Sequence, residues 1–325
     1  MERVSTQPWS EFFSVLQQSG NIFVDVDQNP DVIIHMNTHP KILDKQKVAE
    51  KRPLNILVMW ESQVTRPKDF IPKCLQRYDH IFSPSLLWVK GENVHYFNWP
   101  NGIVQATKKM SYPTRTRQNK VVMIAANKFS FMKSELYSLR RLYLKRNSEI
   151  IDVYGEGWDS NLYVIKALSK SLLRYFLSRS KSLPSLKFNS FVKPSNYLGV
   201  ALDKSVLSEY KYSLVMENEA SYVSEKLFDS LVYGCIPIYA GPNLEEFGIP
   251  QNVALNIGTK STEALDLKSL IGLNQAELEL IGHHGQEFIR SRRAEEFENT
   301  HVLREIAIKI QRIIQAEGKY YVSSL

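Results

Sequence analysis

The feature that most constrains the fold is an alternation: short apolar runs are separated by amphipathic segments of helical length. Buried parallel strands read as continuous apolar stretches, and each needs a crossover helix to reach its neighbour. The pattern therefore predicts an α/β protein built on mainly parallel sheets. In the first half, strands are expected at Asp31 to Met36, Leu54 to Trp60, Asp79 to Phe82 and Val94 to Phe97, with a helix from Lys68 to Arg77. A second set begins at Lys120 to Ala126. A helix from about Ser134 to Lys145 follows, then a strand at Ile150 to Tyr154, closed by the turn Gly155-Glu156-Gly157-Trp158. A basic helix from about Leu162, a strand at Tyr212 to Met216, a helix from about Ser224 to Tyr233 and a strand at Ile236 to Tyr239 complete the set. Gly234 fits the position just past a helix end, where φ > 0 is wanted. The last helix, roughly Gln275 to Ala316 with a break near Gly282 to Gly285, is a candidate to return to the first domain.

With 325 residues the chain is long enough for two domains. The polar, turn-prone stretch from Pro100 to Gln118 reads as the linker, giving domains at 1–113 and 114–325. Two α/β domains of this kind place the C-terminal ends of two sheets opposite one another, and ligands are expected in that central cleft. The composition, 43% hydrophobic with no low-complexity tract, excludes a disordered or collagenous chain. Cys74 and Cys235 form no C-x-x-C pair and read as free thiols of a reducing compartment. The N-terminus shows no signal-like apolar run, and no stretch approaches about 18 uninterrupted apolar residues. The expected location is cytoplasmic, with peripheral contact at a membrane face as the further option.

The block Tyr210 to Pro242 carries the chemistry. A buried strand delivers Glu217 and Asn218 to its C-terminal end, a short loop follows, and a helix starts near Ser224. A helix start offers unpaired N–H groups and partial positive charge, a place for a diphosphate. Lys226, in the first helical turn, opposes the usual preference for acids there, and a bound anion would compensate. On periodicity alone the bland alternative stands: Ser224 an N-cap, Glu225 an ordinary first-turn acid, Lys226 a solvated side chain.

The same block resembles the signature of the family 10 glycosyltransferases, the α1,3/α1,4-fucosyltransferases, in their bacterial form. The residues that carry the resemblance are Tyr210-Lys211-Tyr212, Glu217-Asn218, Tyr222-Val223-Ser224-Glu225-Lys226-Leu227, Gly234-Cys235-Ile236-Pro237-Ile238-Tyr239 and Gly241. More weakly, Asn196 to Gly199, Asp203-Lys204 and Leu207 are similar to the family's preceding segment. No arginine stands where some members contact the donor diphosphate; Ser195 falls near that place and Lys193 is the nearest cation. Trp60-Glu61-Ser62 is similar to the segment whose glutamate is taken as the catalytic base.

The resemblance implies the GT-B glycosyltransferase architecture, two Rossmann-like domains facing a central cleft, with an acceptor side and a donor side. It implies an inverting transfer of L-fucose from GDP-fucose to a hydroxyl of a GlcNAc- or Glc-containing glycan, for a surface polysaccharide or lipopolysaccharide. Glu61 would be the base; Asn218, Tyr222, Glu225 and Lys226 would serve the donor. No cofactor is required, and a divalent metal would be at most stimulatory. Two other readings stay open: a GT-B transferase using another nucleotide sugar, and a non-catalytic nucleotide-sugar or glycan binder.

Asp25-Val26-Asp27 and His283-His284 have the look of metal motifs, but the first lies beside a turn-like Gln28-Asn29-Pro30. The second cannot aim both rings at one ion from a regular helix. The net charge of +7 is uneven: residues 106 to 195 hold 18 Lys and Arg against 5 Asp and Glu. In the segment 162–181, Lys166, Lys170 and Arg174 recur every fourth residue, while Ile165, Leu168, Leu172 and Phe176 follow apolar-face spacing. A surface helix packing that face on the sheet is one reading. An amphipathic helix on an anionic membrane, serving a lipid-linked acceptor, is the other. No helix-turn-helix, zinc or aromatic RNA-binding pattern accompanies the charge, so nucleic acid is not an expected partner.

Overall fold

A computed structural model describes residues 9–45, 52–103, 117–178, 193–259, 264–273 and 275–318. The proposed boundary at Thr114 and the end of the basic segment, 179–181, lie outside the described residues. The chain divides into two compact units. One comprises Met1–Glu61, Asp69–Pro100 and Glu296–Leu325; the other comprises Ser62–Lys68 and Asn101–Glu295.

The first unit contains α1 (Trp9–Gln18), β1 (Val32–Met36), α2 (Pro40–Lys45), β2 (Leu54–Val58), α3 (Pro72–Leu75), β3 (His80–Ser83) and β4 (Val94–Tyr96). The strands form one parallel sheet in the order β1-β2-β3-β4. β2 is buried along its whole length, which is why it reads as a continuous apolar run. The expected helix from Lys68 to Arg77 is instead a 3₁₀ turn, Pro67–Phe70, and the short α3. Pro72 is the reason: the residue before a proline is held out of the helical region, and Ile71 is extended, with ψ 121°.

The second unit contains β5 (Gln118–Ile124), α4 (Tyr137–Arg146), β6 (Ile151–Tyr154), α5 (Asn161–Leu177), β7 (Tyr210–Met216), α6 (Glu225–Val232), β8 (Ile236–Ala240), β9 (Leu255–Asn256), α7 (Leu267–Leu273), α8 (Gln275–Ile289) and α9 (Arg292–Glu295). Its parallel sheet runs β6-β5-β7-β8-β9. The chain crosses back over β5 on its way from β6 to β7, so the direction of winding reverses between β5 and β7. Gly155, just past β6, has φ +141°, and a Cβ there would lie 2.2 Å from the Ala125 carbonyl oxygen. Trp158 Nε1 donates to that same oxygen at 2.6 Å, closing the turn. Gly234 has φ +71° after α6, where Arg117 donates to the carbonyls of Tyr233 and Gly234.

Two helical expectations are corrected. α8 passes through Gly282 and Gly285 unbroken, because these glycines make room rather than end the helix. A Cβ on Gly285 would lie 2.7 Å from Leu231 of α6, and one on Gly282 would lie 3.1 Å from Ile236 of β8. In α5 the face that packs is not the expected one: Val164, Leu168, Ser171 and Tyr175 turn inward, and Tyr175 and Leu168 join Val64, Phe131, Met132 and Tyr137. Ile165, Leu172 and Phe176 are 52%, 40% and 67% exposed.

The last helix among the described residues, α10 (Asn299–Ala316), belongs to the first unit. Leu303, Ile306 and Ile310 of α10, with Phe12 and Leu16 of α1, cover Leu54, Ile56 and Val58 of β2 and form the core on that side of the sheet.

Candidate active site

Open α/β sheets leave a crevice at the C-terminal ends of their strands where winding reverses, here β5 and β7. Glu217 directly follows the end of β7, and its side chain is wholly buried. Its carboxylate accepts from the Ser224 backbone N–H (2.9 Å), the Ser224 hydroxyl (2.5 Å) and Lys226 Nζ (3.4 Å). Ser224 is the N-cap of α6, its hydroxyl accepting from the Lys226 N–H at 3.4 Å and from Lys226 Nζ at 2.9 Å. The cation in the first turn is thus balanced by an anion of the protein itself. That anion is Glu217, where the charge pattern alone suggested a bound ligand. The Lys226 side chain remains 17% exposed.

Glu225 is half-buried beside it. Burial pushes its carboxyl up, but Lys226, Lys204 and Lys128 pull harder the other way, and it stays ionised below the ordinary carboxylate range. Lys204, in the 3₁₀ turn Lys204–Glu209 before β7, pairs with Asp229 at 2.8 Å. Burial alone would lower the Lys204 ammonium, yet Asp229 and Glu225 hold it above its usual value. Arg140 of α4 is buried and ties the two strand ends together, donating to the Met216 carbonyl at 3.0 Å and the Ala126 carbonyl at 3.2 Å. Burial lowers its pKa, while Tyr137, Glu217 and Glu135 oppose the shift. Arg140, Lys204, Lys226 and Asp229 line one cavity of about 20 Å³ between the strand ends and α6, room for about one water. Neither Arg140 nor Lys204 stood out in the sequence as a site residue. They lie 64 residues apart, on segments that only the β6-β5-β7 strand order brings together.

Tyr222 is 4% exposed, and its hydroxyl accepts from Asn218 Nδ2 at 3.1 Å. The Asn218 carbonyl in turn accepts from the Leu136 N–H at 3.0 Å, so this pair fastens the loop between β7 and α6 to the segment before α4. Glu219 fastens it again: it accepts from the Ser221 hydroxyl (2.5 Å), the Val64 N–H (3.3 Å) and the Ser134 hydroxyl (3.4 Å). Burial raises its pKa against those donors.

The structure brings Asn218, Tyr222, Glu225 and Lys226 together within the second unit. Glu61 stands in the first unit, partly exposed, past the end of β2. The neighbouring Trp60 ring stacks on Phe97 at 5.8 Å with Trp99 at 5.7 Å. Val64, three residues after Glu61, is the residue that donates to Glu219. Asp25 and Asp27 are exposed around a turn before β1, and His283 and His284 each face Glu287. Among the described residues no group of three or more His, Cys, Asp or Glu side chains is gathered to hold a metal ion.

No protein-family profile matches the chain. A putative fucosyltransferase-like protein of Arabidopsis thaliana is 48% identical over 56 residues, 16% of this chain and 11% of that protein. Among solved structures, a glycosyltransferase from Rickettsia africae aligns over 97% of this chain and 84% of its own, at 10% identity and a TM-score of 0.53. A UDP-forming α,α-trehalose-phosphate synthase from Burkholderia vietnamiensis aligns over 98% and 80%, at 12% identity and 0.53. HepE of Anabaena, in complex with UDP-glucose, aligns over 93% and 82%, at 11% identity and 0.52. With two parallel, Rossmann-like α/β units and these neighbours, the chain has the GT-B glycosyltransferase fold.

Proposed function

We propose that this protein is an inverting glycosyltransferase that moves L-fucose from GDP-fucose to a hydroxyl of a GlcNAc- or Glc-containing glycan. The observation that carries the reading is Lys226, fixed at the start of α6 by Glu217 and Ser224 beside an ionised Glu225. This arrangement sits at the winding reversal and within the block that resembles the fucosyltransferase signature. The local likeness to a plant fucosyltransferase-like protein supports the same donor.

In this reading the acceptor hydroxyl attacks the anomeric carbon as its proton passes to the Glu61 carboxylate. The bond from that carbon to the β-phosphate oxygen breaks, and its electron pair leaves on GDP. Lys226 and the N–H groups at the start of α6 stabilise the departing charge, a contribution of about 2.7–4 kcal/mol when one such donor is removed. Lys204, which lines the same cavity as Lys226, adds a second cation on the diphosphate side. Glu225 accepts from donor hydroxyls, while Asn218 and Tyr222 hold the loop that shapes the donor site. The reading requires no divalent cation, which would be at most stimulatory, and retained turnover in EDTA is the check on that point.

A second reading, transfer from another nucleotide sugar, is favoured by a neighbour of the same fold that holds UDP-glucose. The deciding experiment incubates the protein with a panel of GDP- and UDP-sugars and N-acetyllactosamine-type acceptors, following nucleotide release and product mass. Turnover with GDP-fucose, abolished by Glu61→Gln, is the expected result. Strict use of a UDP-sugar establishes the second reading, and binding without turnover of any donor overturns both.

A further inference from the structure

Helix α5 presents its most apolar surface to solvent. Its inward side is narrow, carried by Val164, Ser171 and Tyr175. At about 100° per residue, Leu162, Ile165, Leu173 and Phe176 fall together on one outward flank of the helix, and Lys166, Lys170 and Arg174 form a row along one border of that stripe. Leu162, Leu173 and Phe176 are 72%, 59% and 67% exposed. Scattered exposed apolar residues need no explanation, but a contiguous stripe on a stable helix with a firm N-cap does. Ser160 supplies that cap, accepting from the Tyr163 N–H at 3.2 Å.

The charge pattern selects the occupant. Between Asp159 and Asp203 the sequence holds seven Lys and Arg and no Asp or Glu. A second copy of this chain docking here would set basic row against basic row. A nucleic acid would be served by the lysines but would leave the leucines and Phe176 in water. An anionic bilayer answers both at once: the apolar stripe enters the boundary between headgroups and acyl chains, and the Lys and Arg stems reach back to the phosphates. No helix among the described residues is long and apolar enough to cross a membrane, so contact of this kind lies in the interfacial plane.

We infer that α5 is an interfacial membrane-binding helix that docks the second unit on an anionic lipid surface through Leu162, Ile165, Leu173 and Phe176, flanked by Lys166, Lys170 and Arg174. The inference stands on the helix itself and does not depend on which sugar the protein transfers.

The test is co-sedimentation of the full chain with vesicles of phosphatidylcholine alone or mixed with phosphatidylglycerol. The protein is expected to bind the mixed vesicles, to bind neutral ones poorly, and to be released by salt. The exposed double variant Leu173→Asn/Phe176→Asn is expected to lose about tenfold or more in partitioning, by removal of two inserting side chains. The triple variant Lys166→Glu/Lys170→Glu/Arg174→Glu is expected to lose at least as much. Circular dichroism and turnover on a soluble acceptor should be unchanged in both. Absence of wild-type binding to the mixed vesicles, or undiminished binding of either folded variant, overturns the inference. So does a wild-type dimer in sedimentation velocity that Phe176→Asn dissolves, or displacement of the vesicles by a single-stranded oligonucleotide.

Discussion

Glu217 and Lys226 show why a site residue here is also a structural one. The Glu217 carboxylate has no solvent access and relies on Lys226 and Ser224. Removing one partner of a buried pair leaves an uncompensated charge, at a cost of about 3–5 kcal/mol, whereas replacing both by apolar or neutral groups is often nearly neutral. Lys226→Ala is therefore expected to lower stability to urea by that order and turnover by about 10²–10³-fold. The double variant Glu217→Gln/Lys226→Met should recover most of the stability and none of the turnover. If stability and turnover return together, Lys226 acts only through the fold. Glu225 gives a pH signature. Its pKa is lowered by folding, so the stability it contributes is present above the ordinary value of 4.5 and lost as pH falls through the lower folded value. The difference in urea stability between wild type and Glu225→Gln should be flat above pH 4.5 and shrink on further acidification. Lys226 and Glu225 were legible because they stand at fixed offsets in one short block. Arg140 carries no local signature and Lys204 only the weaker resemblance of its segment; their meeting depends on strand order.

At the scale of elements, apolar runs disclosed the strands because parallel strands are buried on both faces. Helix faces and stops were less legible. In α5 two sets of residues obey the same three-and-four spacing: Ile165, Leu168, Leu172 and Phe176, and Val164, Leu168, Ser171 and Tyr175. Only the neighbours of Tyr175 decide between them. In α8 a glycine can signal an end or a close approach, and Gly285 is the second kind. Alanine there would gain about 1 kcal/mol of helix propensity but would press on Leu231, itself buried, and overpacking costs about 1–3 kcal/mol. Gly285→Ala is thus expected to lower the thermal midpoint. Gly272→Ala, whose new methyl meets nothing within 4 Å, should leave the midpoint unchanged or raise it.

For the whole molecule, length and alternation disclosed two α/β bodies. The sequence could not show that Ser62–Lys68 is counted with the second body. That assignment rests on contacts such as Val64 with Glu219, 155 residues away. Nor does any composition shift mark α10 as part of the first core. Its apolar face, Leu303, Ile306 and Ile310, would serve any sheet. A chain stopped after Glu295 should leave the first sheet without one of its covers. Hydrogen exchange is expected to show β1 to β4 unprotected while β5 to β8 keep their protection; equal protection in both sheets would count against α10 as a needed part of that core.

The return of α10 also sets an order of events during synthesis. β1 to β4 leave the ribosome well before α10, one of the two helices that bury Leu54, Ile56 and Val58. The second unit has all of its segments before residue 296 and can close while translation continues. The first unit therefore cannot complete its core until α10 follows. Until then Leu54, Ile56 and Val58 of β2 lack one of their two covers, an apolar surface of the kind that chaperones shield.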